Sequence, residues 1–456
     1  MHKQARLSHT GADVFSCFHP LMLKRLERYF EFDRLGTSWR TEILAGVTTF
    51  LTMAYIILVN PSILSAAGLP LAAVTAATCL SAGLASILMG VIARYPIALA
   101  PGMGLNAYFA YTVCIHMHIP WQTALGAVFL SGVLFLALTA AGIRQRILHA
   151  IPHELYAAVA GGIGLFIALV GFENAGLVVA DRATLVSLGS VRNPSVALAL
   201  CGLVLMAILQ AMRVRAAILI GVLATSAAAW ACGIAHWTPA PGGLSSLSGT
   251  AFHLDIRSAL GKGVLEIVFV FFLVDLFDNL GTLVAVAKRA GLIEPDHTIP
   301  RLNRILFADA SATVLGSLAG TSTVTSYIES TAGVAAGGRS GVTPIVTGLL
   351  FFAAIGAAPF AGVVPTAATA PALILVGTLM LAPLGEIPWR DPMVAVPAFL
   401  TLVLIPFTYS IANGLGFGML SWAVLHGLRG RFRRQDWLLY LLAALFLARF
   451  IYMSAG

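Results

Sequence analysis

Charge is scarce in this sequence. Only 10% of its 456 residues are Asp, Glu, Lys or Arg, whereas a soluble domain carries about a quarter. So few charges cannot cover a water-facing surface of this size, which excludes a soluble globular protein. Cysteine is sparse too: Cys17, Cys79, Cys114, Cys201 and Cys232 stand far apart with no C-x-x-C spacing. That excludes a disulfide framework or a zinc site, and four of the five lie in apolar runs where a thiol acts as a small hydrophobe. Phosphate-cradling glycine loops, Walker motifs, H-E-x-x-H and G-x-S-x-G are missing. Nothing therefore points to an ATP-driven pump or an enzyme, and no cofactor or metal is implied. Residues 1–40 are mixed and basic without a small-residue cleavage site, and read as a cytoplasmic segment rather than a signal peptide.

What the chain has is apolar length. Hydrophobic residues make up 59% and the mean hydropathy is +0.91. With about 20 apolar residues per crossing, the sequence predicts spans near 41–60, 72–92, 98–115, 121–142, 154–173, 195–212 and 216–235. A polar outer loop, 236–261, follows. A second set lies near 263–287, 304–319, 322–338, 342–361, 366–384, 393–409 and 411–427. The expected fold class is an all-α, fourteen-span, multi-pass protein of the cytoplasmic (inner) membrane. A last apolar stretch, 437–453, follows the basic run Arg429, Arg431, Arg433 and Arg434. Interrupted by Arg449, it reads as a helix lying in the interface.

The basic residues orient these spans. With the N-terminus in the cytoplasm, inner segments hold Lys3 to Arg40, Arg94, Arg144, Arg146, Arg213, Arg215, Lys288 to Arg304, Arg339, Arg390 and the 429–434 run. Outer loops hold only Arg182, Arg192, Arg257 and Lys262. This is the positive-inside pattern, so the net charge of +8 reports orientation rather than nucleic-acid binding. Two sets of seven spans, an odd number each, must run in opposite senses, which is the condition for an inverted repeat.

Two spans differ from lipid-facing helices. The third, Tyr95–Val113, holds Pro96, Pro101, Gly102 and Gly104 in its first half. The tenth, Gly320–Gly338, holds Thr321, Ser322, Thr323, Thr325 and Ser326 there. Pro and Gly oppose helix interiors, and Ser/Thr runs favour other backbone. Both spans are expected to be a short strand leading into a half-helix, a form tolerated at membrane depth only inside protein or beside a cavity. Half-helix N-termini offer free N–H groups to polar ligands.

Acids sit inside the second set: Asp275 and Asp278 in span eight, Asp309 in span nine and Glu329 in span ten. An ionised carboxylate at the bilayer centre costs roughly 2.5–3.5 kcal/mol, and none of these has a Lys or Arg within its span. Asp275 and Asp278 share a helix face, as do Asp275 and Asn279. A carboxylate in apolar surroundings with no cationic partner favours its protonated form. The four acids are thus candidate proton carriers and hydrogen-bonding groups for an uncharged polar substrate. Asn106 opens the half-helix of span three, and Ser330 follows Glu329. His116, His118, Glu173, Asp181 and Asp255 read as solvated, Glu42 as a charge at a helix start, and Phe272, Phe277, Tyr108 and Tyr327 as rings able to stack on a flat substrate.

TEILAGVTTFLTMAYIILVNPSIL, ALAPGMGLNAYFAYTV, GIGLFIALVGFENAGLV, VDLFDNLGTL, LAGTSTVTSYIESTAGVAAGGRSGVTP and IPFTYSIANGLGFG resemble the adenine/guanine/hypoxanthine permeases, a branch of the nucleobase–cation symporters. The likeness runs from about residue 24 to 427. It implies a core domain of spans 1–4 (41–142) and 8–11 (263–361), and a gate domain of spans 5–7 (154–235) and 12–14 (366–427). It also implies proton symport, a homodimer, and a purine held at Asp275 or Asp278, Glu329, Asn106 and Ser330. Proton coupling would run through Asp275, Asp278, Asp309 and Glu329. The alternatives are a xanthine or uracil carrier, a sulfate or bicarbonate transporter of the same architecture, a membrane-embedded enzyme, and a channel.

Overall fold

The computed structural model describes residues 20–142, 152–235, 243–261, 264–292, 299–430 and 437–454. Helices dominate. In chain order they are α1 (Pro20–Tyr29), α2 (Phe32–Leu35), α3 (Trp39–Met53), α4 (Ile56–Ser65), α5 (Leu71–Leu88), α6 (Met103–Ala107), α7 (Trp121–Ala140), α8 (His153–Asn174), α9 (Pro194–Ala211) and α10 (Ala217–Ala231). There follow α11 (Ile256–Ala259), α12 (Val264–Ala290), α13 (Leu302–Ala319), α14 (Ser330–Ala335), α15 (Val342–Ala354), α16 (Thr366–Leu379), α17 (Pro392–Phe407), α18 (Ile411–Leu428) and α19 (Trp437–Ser454). Local chemistry sets many starts. Ser38 accepts the Thr41 N–H, Asn193 that of Ser195, Asp391 that of Met393 and Ser410 that of Asn413, each satisfying a donor that the first turn leaves orphaned. Pro194 and Pro392 stand first in their helices, where a missing N–H costs nothing.

Among the described residues, seven helices are long and apolar enough to cross a membrane unaided. The fourteen expected spans do not each appear as an unbroken apolar helix, for three physical reasons. Some, such as α10, α15 and α17, are short. The long helix α12 carries acids and ends on Lys288 and Arg289. Spans three and ten are broken.

The broken segments are the centre of the fold. Strand β1 (Leu99–Pro101) runs into α6 and then a π-helical stretch, Tyr108–His116; strand β4 (Val324–Ser326) precedes α14. β1 and β4 pair antiparallel, with Leu99 opposite Ser326, Ala100 opposite Thr325 and Pro101 opposite Val324. Flanking bonds extend the pairing: Gly102 N–H to Thr323 O at 2.9 Å and Tyr327 N–H to Ala98 O at 3.1 Å. Ser86 Oγ of α5 accepts from Leu99 N at 2.9 Å and donates to Leu99 O at 3.0 Å. These bonds give polar groups of the buried backbone partners within the protein, the condition for irregular backbone in an apolar setting. Outside, β2 (Val178–Asp181) and β3 (Leu185–Leu188) form a hairpin in what the sequence showed only as a loop.

The helices pack in two groups. One sets α3 and α5 against α15, α7 against α12 and α13, and α14 against α3. The other sets α8 against α16 and α17, α17 against α18, and α9 against α10 and α16. The N-terminal segment is pinned to the first group, where Glu31 pairs with Arg34 at 2.7 Å, Arg94 at 3.3 Å and Arg301. Helix α19 packs on α18 with Leu439, Leu442, Ala443 and Phe446 buried. Its Arg449, an interruption in sequence terms, pairs with Glu266 and donates to Asn413 Oδ1 at 2.9 Å.

Gly333 lets α14 lie against α3: a Cβ there would stand 2.0 Å from Thr49 Oγ1 and 2.8 Å from Ala45 O. Gly333→Ala is expected to destabilise by about 1–3 kcal/mol through overpacking, read as a lowered Tm of the purified protein. An unchanged Tm would mean that the half-helix is seated farther from α3.

Candidate functional site

Glu329 stands between β4 and α14, immediately before the half-helix, and is part-buried. Tyr55, fully buried at the joint between α3 and α4, donates its hydroxyl to Glu329 Oε1 at 2.5 Å. The carboxyl group is thereby aimed rather than loose. It opens on a cavity of about 530 Å3, which Thr48 and Thr52 of α3 and Thr331 of α14 also line, together with Arg213, Arg215 and Arg289.

Asn106 is fully buried in α6. Its Nδ2 donates to Asn60 Oδ1, and Asn60 Nδ2 donates in turn to Thr78 Oγ1 at 2.8 Å and Thr321 Oγ1 at 3.2 Å. This amide relay ties α4, α5 and both broken segments together. Asn60 escaped the sequence reading, although a lone amide in an apolar run before Pro61 was a signal of the same kind as Asn106. Among the described residues Asn106 Oδ1 has no hydrogen-bond partner.

Asp275 is buried in α12 and accepts from Thr313 Oγ1 at 3.4 Å; Thr313 also donates to Val324 O of β4 at 3.0 Å. Asp309 is buried in α13, one turn before Thr313. Asn279, one turn after Asp275, is buried, and among the described residues both its amide atoms lack a hydrogen-bond partner, as do the hydroxyls of Ser322, Thr323, Thr325 and Ser326. Buried polar groups are ordinarily satisfied, so this concentration along span ten marks a polar region rather than ordinary packing. Asp278 belongs to α12, but its side chain lies outside the described residues.

Of the candidate residues whose side chains are described, Glu329 alone is among those lining the 530 Å3 cavity. Asn106 and Asp275 are turned into the protein's own hydrogen bonds, and Ser330 Oγ accepts the Ala98 N–H at 3.0 Å, stitching one broken segment to the other. The candidate stacking rings are engaged as well. Tyr108 meets Phe271 edge-on at 5.2 Å, Phe272 meets Phe135 at 5.3 Å, and Tyr327 donates to Pro101 O at 2.5 Å. The side chain of Phe277 lies outside the described residues.

Glu42 is more than a charge at a helix start. It is fully buried and accepts from Arg339 N at 2.9 Å, Ser340 N at 3.1 Å, Thr343 Oγ1 at 2.6 Å and Thr37 Oγ1 at 2.8 Å. A carboxylate is a strong acceptor for such N–H groups, and this one anchors the turn between α14 and α15 to α3. His116 and His118 are exposed, as the sequence suggested. Asp181 and Asp255 are solvated and cap local turns; their bonds to Thr184 and Ala183, and to Ser258, hold both carboxyls below the usual range.

A paired-strand crossing of two broken spans beside a carboxyl-lined cavity is transporter geometry, and comparison with known proteins agrees. The Permease family model (Xan_ur_permease) matches residues 40–417. The chain belongs to this permease family. A guanine/hypoxanthine permease of Bacillus subtilis is 45% identical over 444 residues, covering 94% of this chain and 100% of the relative. An adenine permease of Escherichia coli is 42% identical over 430 residues, covering 94% and 97%. A putative permease of Methanocaldococcus jannaschii is 49% identical over 438 residues, covering 95% and 100%. The fold is shared with solved transporters of far lower identity. The transmembrane domain of a cyanobacterial bicarbonate transporter has a TM-score of 0.63 at 14% identity, covering 83% of this chain and 97% of its own. A murine anion transporter in an inward-facing state has 0.63 at 12%, covering 95% and 77%. The permease is a multi-pass membrane transporter, not an enzyme.

The relay predicts that Asn60→Ala strands the Asn106 amide and removes the donor to Thr78 and Thr321. The expected destabilisation is about 1–3 kcal/mol per stranded group, measured as a lowered Tm in detergent. A variant as stable as the parent would show that the relay carries no load.

Proposed function

We propose that this permease imports purine nucleobases (hypoxanthine, guanine or adenine) together with a proton, by alternating access. The observation that carries the reading is the Glu329 carboxyl, held by Tyr55 at 2.5 Å at the head of a half-helix and opening on the cavity. A neutral purine presents N–H donors and ring-nitrogen acceptors along one edge. A carboxyl group fixed in place can accept from such an edge, and in its protonated form can donate to it. The purine permeases at 42% and 45% identity support the substrate class. Anion carriage on the same fold is disfavoured, because an anion would meet Glu329 where it needs a donor or a cation.

In this reading the first packing group is the core, spans 1–4 and 8–11, and the second is the gate, spans 5–7 and 12–14, in a fourteen-span inverted repeat. The N-terminus and the basic loops lie in the cytoplasm of a cell bounded by an inner membrane, and the protein works as a homodimer. Asp275, Asp278 and Asn106 complete the binding region around Glu329 with Ser330, and Asp309 joins the acids in proton coupling. On the outer side Thr112 Oγ1 donates to Tyr409 O at 2.6 Å, and Asn174 Nδ2 donates to Tyr111 Oη at 2.9 Å. These bonds join the outer end of span three to the gate and favour an outward-closed state, while the cavity at Glu329 is lined also by Arg213, Arg215 and Arg289, residues of the inner loops in this reading. Protonation and purine binding each favour the other, since a neutralised acid is cheaper to desolvate. Rocking of core against gate then releases both inside.

The test is uptake of labelled hypoxanthine, adenine and guanine by cells lacking their own purine permeases. Saturable uptake is expected, lost with a protonophore and falling as external pH rises, because fewer protons are then available to load the outer-facing site. Absence of uptake for all three despite verified membrane expression would remove the purine assignment. Glu329→Ala and Asp275→Ala are each expected to lower uptake at least about tenfold, the scale of one hydrogen bond to a charged group, with membrane insertion retained. Retained uptake removes that residue from the site.

A further inference from the structure

We infer that the cavity beneath Glu329 is also a binding site for purine nucleoside 5′-monophosphates, which enter from the arginine side and compete with the transported base. The inference deepens the purine reading and rests on it. Its starting point is a mismatch between the cavity and the proposed cargo. A bicyclic base needs one polar edge and a flat slot, whereas this cavity measures about 530 Å3, within the range that encloses much larger ligands.

The lining is also of the wrong charge for a neutral base alone. Among its described lining residues Glu329 is the sole acid, while Arg213, Arg215 and Arg289 supply three guanidinium groups. Among the described residues none of the three pairs with a carboxylate, and all three are exposed. Guanidinium groups bind phosphate through two parallel N–H bonds, a geometry that ammonium groups do not match. Thr48, Thr52 and Gln210 also line the cavity, neutral groups able to hydrogen-bond sugar hydroxyls.

Orientation accounts for arginines in inner loops, but not for their convergence. Arg213 and Arg215 follow α9, and Arg289 ends α12, elements of the two different packing groups. A ligand with its base at Glu329 and its phosphate among these arginines would touch both groups at once. Repulsion between phosphate and Glu329 enforces that polarity, base inward and phosphate outward. A bridging ligand of this kind holds core and gate in one arrangement and so inhibits rather than travels. Uptake would then slow when the phosphorylated form of the imported base accumulates inside.

The test is competition against a labelled purine base bound to the purified full-length protein. Competitors are the matching nucleoside, its 5′-monophosphate, inorganic phosphate, and nanodiscs rich in anionic phosphatidylglycerol. The monophosphate is expected to displace the base at concentrations about tenfold or more below the nucleoside, the effect of one added charge-assisted contact. Arg213→Gln and Arg289→Gln should each bring the monophosphate back to the nucleoside's level with base affinity unchanged, and Arg289→Lys should keep part of the gain. Equal competition by nucleoside and monophosphate, or variants that leave the competition unmoved, overturns the inference while the purine reading stands. Displacement by phosphate alone or by the anionic lipid assigns the arginines to a lipid headgroup and overturns it as well. Failure of the parent protein to bind any purine base overturns both.

Discussion

Everything in this molecule hangs on a backbone that has to be satisfied where no water is available. Two spans abandon the helix at membrane depth, and each abandoned turn frees N–H and C=O groups that hydrocarbon cannot accept. The pairing of Leu99–Pro101 with Val324–Ser326 answers most of that demand. Ser86, Ser330 and Tyr327 answer more of it, each by a side-chain bond to the opposite or flanking backbone. Because the two half-helices start from this shared crossing, their first turns and the residues beside them are fixed relative to each other. Glu329 and Asn106 are where they are because the strands are where they are.

The crossing also explains why polar residues inside the protein divide into two kinds. Asn60, Asn106, Thr78 and Thr321 form a relay around it, which among the described residues leaves only Asn106 Oδ1 open, and Glu42 closes the turn beyond the second half-helix. These residues hold the scaffold. Glu329 is different: one oxygen is tied to Tyr55, and the group still reaches a cavity. A carboxyl group aimed by one bond and open on its other side is suited to a ligand, whereas one surrounded by donors is suited to structure.

The architecture by itself does not choose the cargo. Transporters of bicarbonate and other anions share this fold at 12–14% identity, and function resides in the site rather than in the fold that carries it. Here the interior carries acids, Asp275 and Asp309 buried and Glu329 part-buried beside the cavity. Permease relatives at 42–49% identity stand far closer in sequence than the structural neighbours do.

The sequence by itself determined the membrane class and the two segments where strand interrupts helix, because each is a local matter. Apolar length, helix-breaking residues and uncompensated charge are legible one segment at a time. What the sequence could not determine was which polar groups meet. Asn60 and Asn106 stand 46 residues apart, Tyr55 and Glu329 274 apart, and no periodicity along the chain encodes such a contact. Glu42 looked like a helix-start charge because three of its four partners lie about 300 residues away, and Arg449 looked like a flaw in an apolar helix because Glu266 stands 183 residues away. Tertiary structure decided these points, since the partner that satisfies a buried polar group is chosen by packing between helices, and packing brings together residues that the chain keeps apart.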